Sequence, residues 1–133
     1  MPGRHGAASL DVSGDWNGVY SYAVASIAAA PVAFLATLAE SGSAIVGATE
    51  ETIRGGAAPA TLRGRRTGRA VAFVKRYDGW PHRHDIHYTG ELNGDATEIR
   101  GRWRIVPLPS GAFLMIRAQP AARAAERETV AQV

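Results

Sequence analysis

Residues 69–106 read RAVAFVKRYDGWPHRHDIHYTGELNGDATEIRGRWRIV, and their alternation decides the fold. Val71, Phe73, Lys75 and Tyr77 share one face of 69–77. His84, Ile86 and Tyr88 share one face of 83–91, and Ile99, Gly101, Trp103 and Ile105 one face of 97–106. A period of two is that of a half-buried strand. Asp78-Gly79-Trp80-Pro81 has turn chemistry, and Asn93-Gly94-Asp95 is a hairpin signal. Three antiparallel strands in chain order follow, each with one face toward a common core.

The same pattern extends outward in both directions. Strands are expected over 60–66, closed by a Thr67-Gly68 turn, and over 112–118, with Phe113, Met115 and Arg117 on one face. Upstream, 14–22 aligns Trp16, Gly18, Tyr20 and Tyr22, while 31–39 aligns Val32, Phe34, Ala36 and Leu38. A strand over 44–53 follows a turn at 40–43 and precedes a loop at 55–59. The count is eight, and an even number of up-and-down strands can close and remove its edges. The expected fold is all-β: a single eight-stranded up-and-down antiparallel barrel. An open sheet or a sandwich is the alternative. The barrel takes residues 13–118, behind an N-terminal arm (1–12) and before a C-terminal tail (119–133). That tail reads as a short helix begun at Pro120 or as a frayed end.

Composition narrows the function classes. The 133 residues carry a net charge of +3, with 46% apolar and 20% charged residues, which excludes a wholly disordered chain. The absence of cysteine excludes a disulfide scaffold, thiolate catalysis and cysteine-based metal sites. The 15 cations comprise 14 arginines and a single lysine, Lys75. Residues 16–39 carry no charge and could span a bilayer by length. Pro31, Asn17 and Gly18 argue instead for two strands joined by an Ala-rich loop. No signal-peptide pattern opens the chain. The expected location is cytoplasmic, with no membrane partner.

Gly14-Asp15-Trp16, just before the first strand pair, resembles the Gly-x-Trp of the calycin barrels: lipocalins, fatty-acid-binding proteins and the avidin group. In lipocalins an arginine on the last strand packs over that tryptophan, and Arg117 stands in the matching place. The resemblance implies a barrel of about residues 13–118, plugged at one end by this pair and holding a ligand inside. The chain is shorter than a typical lipocalin and lacks lipocalin disulfides. Avidin's biotin contacts find no match, so ligand identity does not carry over.

Up-and-down topology places Trp16 and Arg117 together at one end and Tyr20, Tyr22, Lys75, Tyr77 and His84 at the other. An inward Lys75 needs a partner, because an unpaired buried charge is costly. No carboxylate shares its strand face. The expected partner is an anionic ligand or a network of tyrosine hydroxyls and water; the alternative is snorkelling into solvent. The candidate ligand-binding residues are Tyr20, Tyr22, Phe34, Phe73, Lys75, Tyr77, His84, Tyr88, Trp103 and Phe113, with Leu38, Ile86 and Met115 as further wall.

The function this suggests is non-catalytic binding of a small, partly apolar molecule, anionic or neutral. One alternative is a barrel enzyme of cyclase or isomerase type, with His84, Lys75 and a tyrosine as acid–base groups. Another is an interaction module acting through its arginine-rich surface. His82 and His84 have metal-ligand spacing but no second half-motif. No metal or cofactor is expected, and haem or a metal at His84 is the alternative. No nucleophile constellation, paired inward carboxylates or phosphate loop appears, so no catalytic residue is assigned. The Arg63–Arg69 hairpin lacks the interleaved aromatics that single-strand binding would want, and the row Glu98, Arg100, Arg102, Arg104 has only one acid in it. That row is read as a solvated outer face, or as pairing with Glu50 and Asp85, and no nucleic-acid partner is expected. Ala- and Val-bearing outer faces on the first three strands make a homo-oligomer possible.

Overall fold

The structure is a computed structural model that describes residues 10–23, 30–79 and 85–118. Its strands are β1 (Gly14–Tyr22), β2 (Val32–Ser41), β3 (Ala44–Glu50), β4 (Thr52–Ile53), β5 (Gly56–Ala57), β6 (Ala60–Thr67), β7 (Ala70–Tyr77), β8 (Ile86–Leu92), β9 (Glu98–Arg104) and β10 (Ser110–Arg117). Eight of them form one closed antiparallel barrel in the order β1-β10-β9-β8-β7-β6-β3-β2. Each pairs with the barrel strand that precedes or follows it in the chain, β3 with β6 across the β4–β5 excursion, and β1 closes the ring with Trp16 opposite both Ala36 and Arg117. The uncharged stretch 16–39 supplies β1 and β2. Among the described residues no helix is long and apolar enough to cross a membrane.

Three expectations are corrected. The strand expected over 44–53 ends at Glu50, because Thr52–Ala57 leave the barrel as a separate hairpin, β4–β5. Its turn residues Arg54 and Gly55 have φ of 51° and 80°, the left-handed values a tight hairpin turn requires. The strand expected over 97–106 stops at Arg104. Pro107 and Pro109 cannot donate to a ladder, and the Ile105 amide instead bonds the Pro109 carbonyl across the loop (2.9 Å). The strand expected over 83–91 is seen from Ile86 to Leu92. His84 and the tail, including the helix expected from Pro120, lie outside the described residues.

Alternation carries the large apolar side chains inward, and Phe34, Leu38, Phe73, Ile86, Tyr88, Trp103, Phe113 and Met115 are all buried. Space for them comes from inward-facing glycines. The Phe34 ring lies where a Cβ on Gly18 would stand, 2.2 Å away. At Gly101 a Cβ would fall 2.0 Å from the Thr89 carbonyl oxygen, so backbone itself occupies the side-chain position. Such glycines let a small barrel bend tightly. Gly101→Ala is therefore expected to cost about 3 kcal/mol, read as a lower midpoint in urea unfolding. An unchanged midpoint would contradict this packing.

One end of the barrel is sealed. The Arg117 guanidinium lies 4.5 Å from the Trp16 ring centroid. It donates from Nε to the Ala96 carbonyl (2.7 Å), from Nη1 to Ser13 (2.6 Å) and from Nη2 to the Asp11 carbonyl. Burial lowers its pKa below the ordinary arginine value. Trp16 Nε1 donates to the Val12 carbonyl (2.9 Å), and Val12 is fully buried. Beside it Arg66 grips Glu40 through Nε (2.8 Å) and Nη2 (2.6 Å), while Glu40 Oε1 accepts from the Val12 amide (3.1 Å). The last residues of the arm thus form part of the floor.

Candidate functional site

The other end of the interior holds a buried polar centre. Along β7, Val71, Phe73, Lys75 and Tyr77 point inward; along β1, Tyr20 and Tyr22 do. Glu51 joins Tyr20, Lys75 and Tyr77 at this centre. Its position follows the inward parity of Ile45 and Thr49, one residue past the end of β3. The Glu51 carbonyl accepts the Ala58 amide (2.8 Å), which ties the neck of the β4–β5 hairpin and fixes the side chain over the interior.

The Glu51 carboxylate gathers three donors. Oε1 accepts from Lys75 Nζ (2.6 Å) and from the Tyr77 hydroxyl (2.9 Å), and Oε2 accepts from the Tyr20 hydroxyl (2.7 Å). The charged side chains are 1% (Lys75) and 0% (Glu51) exposed. Lys75 Nζ also lies 4.9 Å from the Tyr77 ring centroid, 5.1 Å from that of Phe34 and 5.4 Å from that of Tyr20. An ammonium facing rings gains from their electron-rich faces. Burial lowers the Lys75 pKa, and Glu51 opposes that shift. Burial raises the phenols of Tyr20, Tyr77 and Tyr88, and Glu51 pushes each in the same direction.

Those raised phenols fix an alkaline behaviour. An unfolded tyrosine ionises near pH 10, while the folded ones hold their protons, so the native state loses stability as pH rises above 10. Tyrosinate absorbance from Tyr20, Tyr77 and Tyr88 is expected to appear in one step with loss of β circular dichroism. A rise in all three before any loss of dichroism would contradict their burial.

An aromatic wall surrounds the centre. Trp103 meets Tyr22 edge-on at 5.1 Å and Tyr20 at 5.8 Å, and its Nε1 donates to the Ser21 carbonyl (3.0 Å). Deeper in, Phe73 stacks on Tyr88 at 5.0 Å, and Phe113 packs edge-on against Tyr88 at 4.9 Å. Of the sequence-derived residues, Tyr20, Lys75 and Tyr77 meet around one carboxylate, with Phe34 against Lys75 and with Tyr22 and Trp103 beside Tyr20. Phe73, Tyr88 and Phe113 form a separate aromatic layer. His84 lies outside the described residues.

Strand parity around Lys75 does not reveal Glu51, because the carboxylate reaches it from just past the end of β3, a strand that does not pair with β7. The signal was present as the i, i+2 series Ile45, Gly47, Thr49, Glu51. Thr49 adds a further feature: its buried Oγ1 has no hydrogen-bond partner among the described residues. It faces Ala36 and Ala60 across the sheet, small residues that leave its hydroxyl uncontested.

The outer surface is grooved and mixed in character, with Leu35, Val46 and Ile116 exposed on it. One groove of about 500 Å3 crosses β1, β2, β3 and β6, and another of about 460 Å3 lies over β1, β9 and β10. Neither is lined by Glu51, Lys75 or Tyr77. Ion pairs there join Arg76 to Asp85 (2.7 Å), Arg100 to Glu98 (2.6 Å) and Arg69 to Glu91 (3.3 Å). Asp85 thus pairs with Arg76 rather than with the Arg100–Arg104 row. Arg63, Arg65, Arg102 and Arg104 are exposed, as a solvated face requires. Among the described residues no cluster of His, Asp and Glu could hold a metal ion.

No family model matches the chain, and no curated protein matches it. Among solved structures it is similar to a redesigned β-barrel, with a TM-score of 0.68 and 14% sequence identity. The match covers 85% of this chain and 95% of that one. Identity this low speaks for fold alone: the chain is an eight-stranded closed antiparallel barrel, similar to a designed one.

Proposed function

We propose that the barrel binds a small, largely apolar, uncharged molecule without turning it over, at the end where Tyr22 and Tyr77 are half-buried. One observation carries this reading: an ion pair, Glu51 and Lys75, enclosed inside a barrel whose other buried side chains among the described residues, Thr49 apart, are hydrophobic. Apolar residues of similar volume usually stabilise a core as well as a buried pair does, or better. Perturbed ionisable groups gathered in one place are a mark of functional sites.

Hydrogen-bonding capacity indicates the ligand class. An ammonium has three N–H donors. Among the described residues Lys75 uses one, toward Glu51. Two remain for an acceptor atom on a bound molecule. Glu51 already neutralises Lys75 and takes the place expected for an anionic ligand, so an uncharged molecule with an acceptor oxygen fits better. Tyr20, Tyr22, Phe34 and Trp103 would provide its apolar wall, as such pockets require. The Trp16–Arg117 plug supports a calycin-like barrel, closed at one end and receptive at the other.

Native and denaturing mass spectra of the purified protein test this reading. A co-purifying mass lost on denaturation is expected. A bare mass at every charge state, together with no tryptophan fluorescence response to any apolar carbonyl compound or phenol, would overturn it.

A further inference from the structure

We propose that Lys75 captures the carbonyl group of an apolar aldehyde or ketone as a Schiff base, a step that rests on the binding reading above and names its ligand class. The first observation is compositional. Fourteen of the 15 cations are arginine, and the only lysine is the one enclosed in the barrel. A guanidinium stays protonated and supplies charge; an amine can also lose its proton and act as a nucleophile. Among the side chains, that second ability is kept at Lys75 alone.

Geometry around Nζ supplies what imine formation needs. Glu51 Oε1, at 2.6 Å, accepts the ammonium proton. The freed lone pair attacks the carbonyl carbon; the C–N bond forms as the C=O π pair moves to oxygen. A proton passes from nitrogen to that oxygen and gives a neutral carbinolamine. The nitrogen lone pair then closes C=N while the C–O bond breaks, and oxygen leaves as water with the proton held by Glu51. The sum is ammonium plus carbonyl giving iminium plus water, with no change of oxidation state. The product cation remains paired with the Glu51 carboxylate. Tyr20 and Tyr77, both hydrogen-bonded to Glu51, hold that carboxylate in place. The rings of Tyr20, Phe34 and Tyr77 around Nζ keep water from the imine. Burial also lowers the Lys75 pKa, which favours the free amine.

The chain has only two kinds of amine, Lys75 and its amino terminus, so the reaction is read without ambiguity. Cinnamaldehyde and cyanoborohydride are added at neutral pH, and the product is mapped by peptide mass spectrometry. Reduction leaves the mass of the aldehyde less one oxygen. The expected adduct is on Lys75, formed roughly tenfold faster in the folded protein than in the urea-unfolded chain. Glu51→Gln should slow it, and Lys75→Arg should abolish it at that position while keeping the charge. Adduct confined to the amino terminus, or an equal rate at Lys75 folded and unfolded, overturns the proposal. Cinnamyl alcohol, which cannot form an imine, separates the two readings through tryptophan fluorescence. Alcohol binding without a Lys75 adduct overturns capture and leaves binding standing. Neither binding nor adduct overturns both.

Discussion

Glu51→Leu is expected to destabilise the barrel by about 3–5 kcal/mol, because it strands the Lys75 ammonium in an aromatic interior. The loss has three parts. Lys75 forfeits its 2.6 Å partner, and the hydroxyls of Tyr20 and Tyr77 each forfeit the hydrogen bond to Glu51. An unpaired buried donor costs about 1–3 kcal/mol, more when charged. The double variant Glu51→Leu with Lys75→Met should recover most of the loss, since an apolar replacement of the whole pair is often neutral or stabilising. Urea unfolding of the two single variants and the double variant measures the coupling. A double variant as unstable as the sum of the singles would mean that the pair does not act as a unit.

The second large effect lies at the sealed end. Arg117→Met should cost about 3–4 kcal/mol, through loss of three donated hydrogen bonds and the stacking on Trp16. The carbonyls of Ala96, Ser13 and Asp11 accept from one planar fork, so Arg117→Lys should restore little; an ammonium cannot reach all three. Ala96 has φ of 60°, a left-handed conformation, and its carbonyl accepts from Arg117. Fluorescence from Trp16 should move to longer wavelength as the floor opens. A variant with unaltered midpoint and emission would show that the plug is dispensable.

Much of this architecture is local chemistry and was legible from residues alone. Gly14–Tyr22 matches its expected bounds, and Asn93-Gly94-Asp95 turns where its residues demand. Parity identified the inward aromatics, because a period of two assigns a face without knowledge of the partner strand. The meeting of Trp16 and Arg117 followed from closure. Glu51 was harder, since its burial depends on the chain leaving the sheet immediately after Glu50. That exit is set by the β4–β5 hairpin, whose glycines read only as a loop. Arg66 was grouped with Arg63 and Arg65, yet its parity with Leu62 and Gly64 turns it toward Glu40. In both cases a contact between distant strands, absent from local sequence, decided the role of a charged residue.

The most direct measurement compares native mass spectra of the wild-type protein with those of the Glu51→Leu/Lys75→Met double variant, after both are shown to fold. The double variant keeps the apolar wall and loses the polar centre. A small molecule carried by the wild type and lost from the variant is the predicted result. Equal retention by both would contradict a binding site built on Glu51 and Lys75.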